Sequence, residues 1–586
     1  MSVASHGQDE ADPTPDTPRD AEPNTEPESA PDRRTARMSR RRQLEILLAG
    51  LGSIVIAVLM TWPAARHPTS TIPQDIYDPL LEAWSAAWGG HALLHPGTHL
   101  WSGNVFYPLD DSYAFTDSLL GYAPLAWLGG GPKAALAHYN ILYILAPALS
   151  FFGAYLLARQ IGTRPVGALV AAGAFGYAPW RLSQAGHLHI LSTGGIALSL
   201  AMLARGHGFG RGGYDPDRVR PGWAVAGWLV AAWQITVGFG IGLPFAYVLG
   251  TGVVVAAVCW AVRGRPPVPR RLLVADVGGI VVFLVVTLLM ALPYLRVVHD
   301  HPEAKRTLAA NAIFSPPFRG FFIAPDTSAV WGRTMAHARA GLGDFNNEKT
   351  MMIGFAVTTL ALLGLWVSPW SVRRRLGLLA AAAVALVLGM GTTFLGGAFF
   401  KVAYHLPGWD GLRTPGRLVV FATLALGLLA AGAVDRLVEE AGSWARYGML
   451  IMPLLVVLEG LPKTPHPAVP AEPDAMRNVH GPAIVLPAVW WADCSVMYWS
   501  TDGFPKVVNG NSGFAPNLTE QIRARTASFP DPASITYLRS LGVRQVVVLR
   551  NWLPGTPYAR ALSQPTAGLG LTRHDYGPDA VFTLSR

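Results

Sequence analysis

Two cysteines, Cys259 and Cys494, are all that 586 residues carry. One falls in an apolar run and the other in a polar tail, which excludes a disulfide framework. Charge is scarce too: Asp, Glu, Lys and Arg make up 14% of the chain against 51% hydrophobic residues, with a mean hydropathy of +0.31. A string of soluble domains does not have that balance. No P-loop, HExxH, GxSxG or dinucleotide fingerprint occurs, so no motif supports a nucleotide-driven pump or a serine or zinc hydrolase. Internal repeats are not evident, and ionisable residues inside the apolar runs are nearly missing, which counts against an ion channel or a proton-coupled transporter. The net charge of +9 comes from short basic clusters between apolar runs. Retention of Lys and Arg on the cytoplasmic side accounts for those clusters, and no nucleic-acid partner is implied.

What is present is hydrocarbon. Runs such as Leu272 to Leu295 and Leu376 to Leu395 reach the roughly 20 apolar residues needed to cross a bilayer. About eleven spans are expected, near 44–64, 139–158, 165–180, 188–204, 222–240, 243–262, 272–295, 351–370, 376–396, 417–434 and 447–461. The stretch 222–262 also reads as one long helix with a half-helix around Gly238, Gly240, Gly242 and Pro244. Ala114 to Leu128 is apolar as well, yet treating it as a span would put every later arginine cluster outside. It is therefore expected to be re-entrant or interfacial.

Three parts follow. Residues 1–42 form a tail whose first 32 residues, rich in Asp, Glu and Pro, are expected to be disordered. Arg33, Arg34, Arg37, Arg40, Arg41 and Arg42 then precede an apolar run without a clear cleavage site, which implies an uncleaved first helix and a cytoplasmic N-terminus. Residues 43–462 form a transmembrane domain with external loops at 66–138 and 296–350, and 463–586 an extracytoplasmic α/β domain. In that last part Ala483 to Leu486, Lys506 to Val508 and Gln545 to Leu549 read as strands, and Asn517 to Thr526 and Ser534 to Leu541 as helices. Its Trp490, Trp491, Tyr498 and Trp499 either bind acceptor or pack a core, and the core is the expectation for such rings.

Chemistry is expected in the external loops. Asp78 and Glu82 stand four apart, with Pro79 marking a helix start, and Asp75 lies just before them. Such carboxylates suit a general base or a divalent cation, Mg or Mn, although Asp75 and Asp78 are not a plain Asp-x-Asp pair. Asp117 interrupts an apolar segment, where a carboxylate needs a partner. Arg181, His187 and His189 form an outer-mouth cluster fit for an anionic head group, with interface anchoring the competing account. The two histidines, two apart, share a face only if the backbone there is not helical. Arg413 and Arg417 are cations outside the membrane and ask for a phosphate, or for pairing with Asp344, Glu348 or Asp410.

Several of these pieces occur in a familiar order: Asp75-Ile-Tyr-Asp78 with Trp84 and Trp88, Asn104-Val-Phe-Tyr-Pro108, Phe175-Gly-Tyr-Ala-Pro179 with His187-Leu-His189, and Arg413-Thr-Pro-Gly-Arg417. Pro505-Lys-Val-Val-Asn-Gly510, Ser512-Gly-Phe514 and Leu541-Gly-Val543 complete it. In this the chain resembles the C-type (GT-C) glycosyltransferase superfamily, in particular its YfhO-like and Rgt-like bacterial branch. The resemblance implies an inner-membrane enzyme that passes a sugar from a polyprenyl-phosphate donor to an extracytoplasmic glycan, lipid or protein acceptor, with inversion. It places the acidic catalytic role on Asp78 or Asp75, and implies that Arg181, Arg413 or Arg417 stabilises the leaving lipid phosphate. A non-catalytic carrier of lipid-linked glycans, or an assembly scaffold, is the alternative for the same scaffold.

Overall fold

The computed structural model describes residues 33–265, 267–442 and 445–585. The expected disordered segment 1–32 lies outside them. The described residues divide into two units between Leu48 and Ala49. The first contributes the start of helix α1 (Arg33–Met60).

Helices form where apolar runs were read. After α1 come α2 (Asp78–Leu94), α3 (Gly131–Gln160), α4 (Pro165–Tyr177), α5 (Gly194–Gly206), α6 (Pro221–Val237), α7 (Phe239–Val262) and α8 (Arg270–Asp300). Then follow α9 (Phe355–Val367), α10 (Val372–Gly389), α11 (Val419–Glu440) and α12 (Ile451–Glu459). Eleven of these occupy the expected positions, but among the described residues only six stretches are long and apolar enough to cross a membrane alone. The number is seven if α10 and the segment Phe394–Tyr404, bent by 79°, count as one span. The shortfall is one of length, because α4, α9 and α12 have 13, 13 and nine residues. The segment 114–128 makes two 3₁₀ turns, the longer of eight residues. At about 2 Å per residue that is far short of a 30 Å crossing.

Small residues set the packing. Helices α10 and α9 lie against α11, α11 against α4, α4 against α3, and the row continues through α5 and α6 to α8. A Cβ on Gly167 of α4 would sit 2.7 Å from the Ala431 carbonyl oxygen of α11, so only glycine permits that approach. At the same end, buried Asp435 of α11 accepts the Arg164 N–H (2.5 Å) at the start of α4, and Glu439 pairs with Arg164 at 3.2 Å. The 222–262 stretch breaks at Gly238 into α6 and α7.

The C-terminal part carries a four-stranded sheet of β1 (Ala483–Leu486), β2 (Gln545–Val548), β3 (Leu571–Tyr576) and β4 (Asp579–Leu584), in the order β1-β2-β4-β3. β1 runs parallel to β2, with Ala483 opposite Gln545, and the other pairs are antiparallel. Helices α13 (Trp490–Trp499), α14 (Asn517–Thr526) and α15 (Pro532–Ser540) surround it. Lys506 to Val508 is not a strand: it offers only a bridge from Val507 to Ala483. The reason is that its backbone is already engaged by the first loop. Tyr107 N–H donates to the Val507 carbonyl (3.0 Å), Val507 N–H to that of Asn104 (2.8 Å), and Phe106 N–H to that of Asn509 (3.2 Å).

Asn104 is the pin of this junction. Its buried amide accepts from Trp84 Nε1 (2.8 Å) and donates to Ser500 Oγ (3.0 Å) and the Pro505 carbonyl (2.9 Å). Asn104→Ala strands three groups, each costing about 1–3 kcal/mol when buried. A thermal-shift measurement in detergent is expected to show a clear fall in the unfolding midpoint of residues around the sheet; an unchanged midpoint would refute the pin.

Candidate active site

The site grows from the first turn of α2. The helix begins at Asp78 with Pro79 next, in the first turn where a missing N–H costs no bond, and it sets Asp78 and Glu82 on one face, four residues apart. Opposite stands the segment Gly186 to Leu191. Its backbone at His187 is not helical (φ −120°, ψ 81°) and becomes one turn only at Leu188–Leu191. That conformation turns both imidazoles toward α2, with ring centroids 5.8 Å apart.

Two carboxylate–imidazole pairs result. His187 Nε2 lies 3.2 Å from Asp78 Oδ2, and His189 Nδ1 lies 2.5 Å from Glu82 Oε1. Glu82 Oε2 also accepts the Leu188 N–H at 2.6 Å. Asp117 finds the partners its position demands: His189 Nε2 at 3.4 Å, and the N–H groups of Phe239 (2.6 Å) and Gly240 (3.1 Å) at the start of α7. Gln74 fixes the opposing loop by accepting the Gly186 N–H at 2.8 Å.

Asp78 is the reachable member. Its side chain is 49% exposed, against 4% for Glu82. Burial of the surroundings opposes its charge, but the His187 hydrogen bond and the charges of His187, Arg413 and His189 outweigh that and hold its carboxyl below the ordinary value. Asp75 goes the other way. Burial and the neighbouring Asp78 charge push it up, despite its acceptance of the Tyr77 N–H at 2.9 Å. Two carboxyls pushed apart in this manner divide naturally into an anion and a spectator.

The cations are less uniform than the sequence implied. Arg417 is spent on buried Glu348 (2.7 Å), which also accepts from Gln184 Nε2 at 3.0 Å. Burial alone would raise the Glu348 carboxyl, yet the Arg417 charge brings it down to about 2. Arg181 is buried, donates to the Leu191 carbonyl (3.1 Å) and Thr193 Oγ1 (2.7 Å), and lies over the Trp180 ring at 4.8 Å. It braces the backbone behind the histidines. Arg413 rests on the Phe314 ring at 4.9 Å and has no ion pair among the described residues, while the charges of Asp78 and Glu348 reach it. Arg306 stands nearby, donating to the Gly513 carbonyl, and is lowered to about 10 by burial and the Arg413 charge.

Asp75 and Asp78 make no metal-ligating group with a third residue: among the described residues no cluster of three or more His, Cys, Asp or Glu could hold an ion. Sequence reasoning missed Gln74 and Gln184, whose amides tie the loops together. Neither carries charge; the one local sign is the positive φ of 72° at Gln74, invisible in sequence.

His187→Asn is expected to move the acid limb of kcat/KM to higher pH. A carboxylate accepts a proton only when ionised, the Asp78 carboxyl is held low by His187, and loss of that partner lets it rise. A pH–rate profile checks this; a fall in kcat with an unmoved acid limb would give His187 a merely structural part.

No family model matches the chain, and no curated protein matches its sequence. Solved structures do. A variant of the arabinofuranosyltransferase AftD from Mycobacteria superposes with a TM-score of 0.55 at 14% identity, over 92% of this chain and 41% of that one. A second AftD structure gives 0.48 at 14%, covering 92% and 40%. The Archaeoglobus fulgidus oligosaccharyltransferase with Zn and sulfate gives 0.45 at 12%, covering 88% and 69%. The chain therefore shares its fold with that AftD variant, and it spans about two fifths of that chain's length.

Proposed function

We propose that the chain is a membrane glycosyltransferase that moves a sugar from a polyprenyl-phosphate donor to an extracytoplasmic glycan, lipid or protein acceptor. The observation that carries the reading is a half-exposed, anionic Asp78 fixed by His187 and facing a cation, Arg413, that makes no ion pair among the described residues. The fold shared with AftD, an arabinofuranosyltransferase, supports it. In this reading the long apolar helices cross the inner membrane from a cytoplasmic N-terminus. The first loop, 296–350 and the sheet domain then lie outside, where the sugar is delivered.

The reaction is a displacement at the anomeric carbon. An acceptor hydroxyl oxygen attacks that carbon and its proton passes to Asp78; the bond to the phosphate oxygen breaks and its electron pair stays on the lipid phosphate. Arg413 faces the charge that develops there, in a site where a fixed cation is worth more than in water. Attack opposite the leaving group inverts the centre. Glu82, His189 and Asp117 hold α2 against α7 so that Asp78 does not drift.

The test is to incubate the purified protein with a set of polyprenyl-phospho-sugars and follow free lipid phosphate. Release with sugar transfer sustains the reading. No release with any donor overturns it in favour of a carrier of lipid-linked glycans.

A further inference from the structure

A row of aromatic rings leaves the site in the direction of the sheet domain. Tyr77, the neighbour of Asp78, meets Trp490 with centroids 5.4 Å apart. Trp490 is 58% exposed, so the expected core role fails for it, although Tyr498 and Trp499 are buried as expected. Adjacent Trp491, turned about 100° further round α13, meets Trp552 at 5.7 Å, and Trp552 meets Trp499 at 5.1 Å. The row ends in a cleft of about 180 Å³ between the segment 470–473 and the sheet, lined by Pro470, Pro473, Asn551, Trp552 and Asp579.

Charge separates this cleft from the catalytic end. Arg413 faces Asp78, with Arg306 and Arg417 beside Arg413, but near the cleft lie Glu472, Asp474, Asp502 and Asp579. Two cations answer them. Arg477 pairs with Asp474 (2.7 Å) and Glu472 (3.6 Å), and Arg550 gives its N–H to Asp579 at 2.9 Å. Burial and Asp502 push the Glu472 carboxyl up to about 7. A phosphate would be repelled here. A neutral sugar fits: its C–H face lies on an indole ring, and Asn551 and Asp579 offer hydrogen-bonding groups to its hydroxyls.

We infer that Trp490, Trp552, Asn551 and Asp579 form an acceptor track that binds a neutral oligosaccharide and feeds its end toward Asp78. This rests on the transferase reading. The track explains why an exposed tryptophan sits at the mouth of a site otherwise built of charge, and why the cleft is open to solvent at Asn551.

The test titrates full-length protein in detergent with maltohexaose, mannohexaose and arabinohexaose, reading tryptophan fluorescence and saturation-transfer NMR. At least one should bind, equally well to the parent and to Asp78→Asn. Trp552→Ala and Trp490→Ala should each weaken it about tenfold, the order of one aromatic stacking contact. Asn551→Ala, at an exposed position, guards against misfolding of the tryptophan variants and should weaken binding as well. Absence of binding by all three sugars, or binding unchanged in all three variants, overturns the track. Binding without any transfer would fault the catalytic reading alone, and transfer without binding the track alone.

Discussion

Asp78→Asn should lower kcat by about 10³-fold, within the range a positioned general base supplies, while leaving the melting temperature and donor KM nearly unchanged. The amide has the size of the carboxylate and keeps an oxygen to accept from His187 Nε2, now 3.2 Å away, so the loop geometry survives. What it loses is the capacity to take a proton. The other carboxylates cannot substitute. Asp75 is held by the Tyr77 N–H, Glu82 by Leu188 and His189, and Asp117 by the start of α7. Single-turnover release of lipid phosphate measures the step directly. Turnover surviving in the variant would move the role to Asp75 or Asp117.

Much of this was readable beforehand because lipid leaves so few options for a backbone. Apolar runs bounded by arginines marked the helices, and Pro79 marked the start of α2 to within one residue. Asp117 was flagged because a carboxylate in an apolar segment must be answered, and three groups answer it. The spans were legible as positions but not as lengths: α12 stops at Glu459, whose side chain caps α9 through the N–H groups of Phe355 and Ala356. The hairpin β3–β4 escaped notice since Leu571–Tyr576 is an edge strand with a mostly exposed, polar face and so shows no apolar alternation. The facing of His187 and His189 also depends on a local φ/ψ that no spacing rule encodes. The division of labour among the arginines was hidden for a different reason. It depends on which of them meets Glu348, a contact across 69 residues.

That division gives the second large effect. Arg413→Ala should cut kcat by about 10²–10³-fold with little change in stability, as loss of a preorganised donor to developing charge does. Arg417→Ala, four residues on, should do the reverse in emphasis: Glu348, with its side chain 5% exposed, would lose its ion-pair partner and keep the Gln184 hydrogen bond and the more distant charges of His187 and Arg413, a loss of about 3–5 kcal/mol in stability. The pH dependence carries the same signature. Glu348 has its carboxyl lowered to about 2 from an ordinary 4.5, so the parent gains stability from it above pH 4.5 and loses that gain as pH falls toward 2. In Arg417→Ala the gain should vanish at neutral pH already, and in Arg413→Ala it should persist. Thermal unfolding from pH 7 down to pH 3, beside single-turnover kinetics, separates the two arginines. If Arg413→Ala proves inert in kcat while Arg417→Ala is silent in stability and slow in kcat, the leaving phosphate is met by Arg417, and the assignment of Arg413 falls.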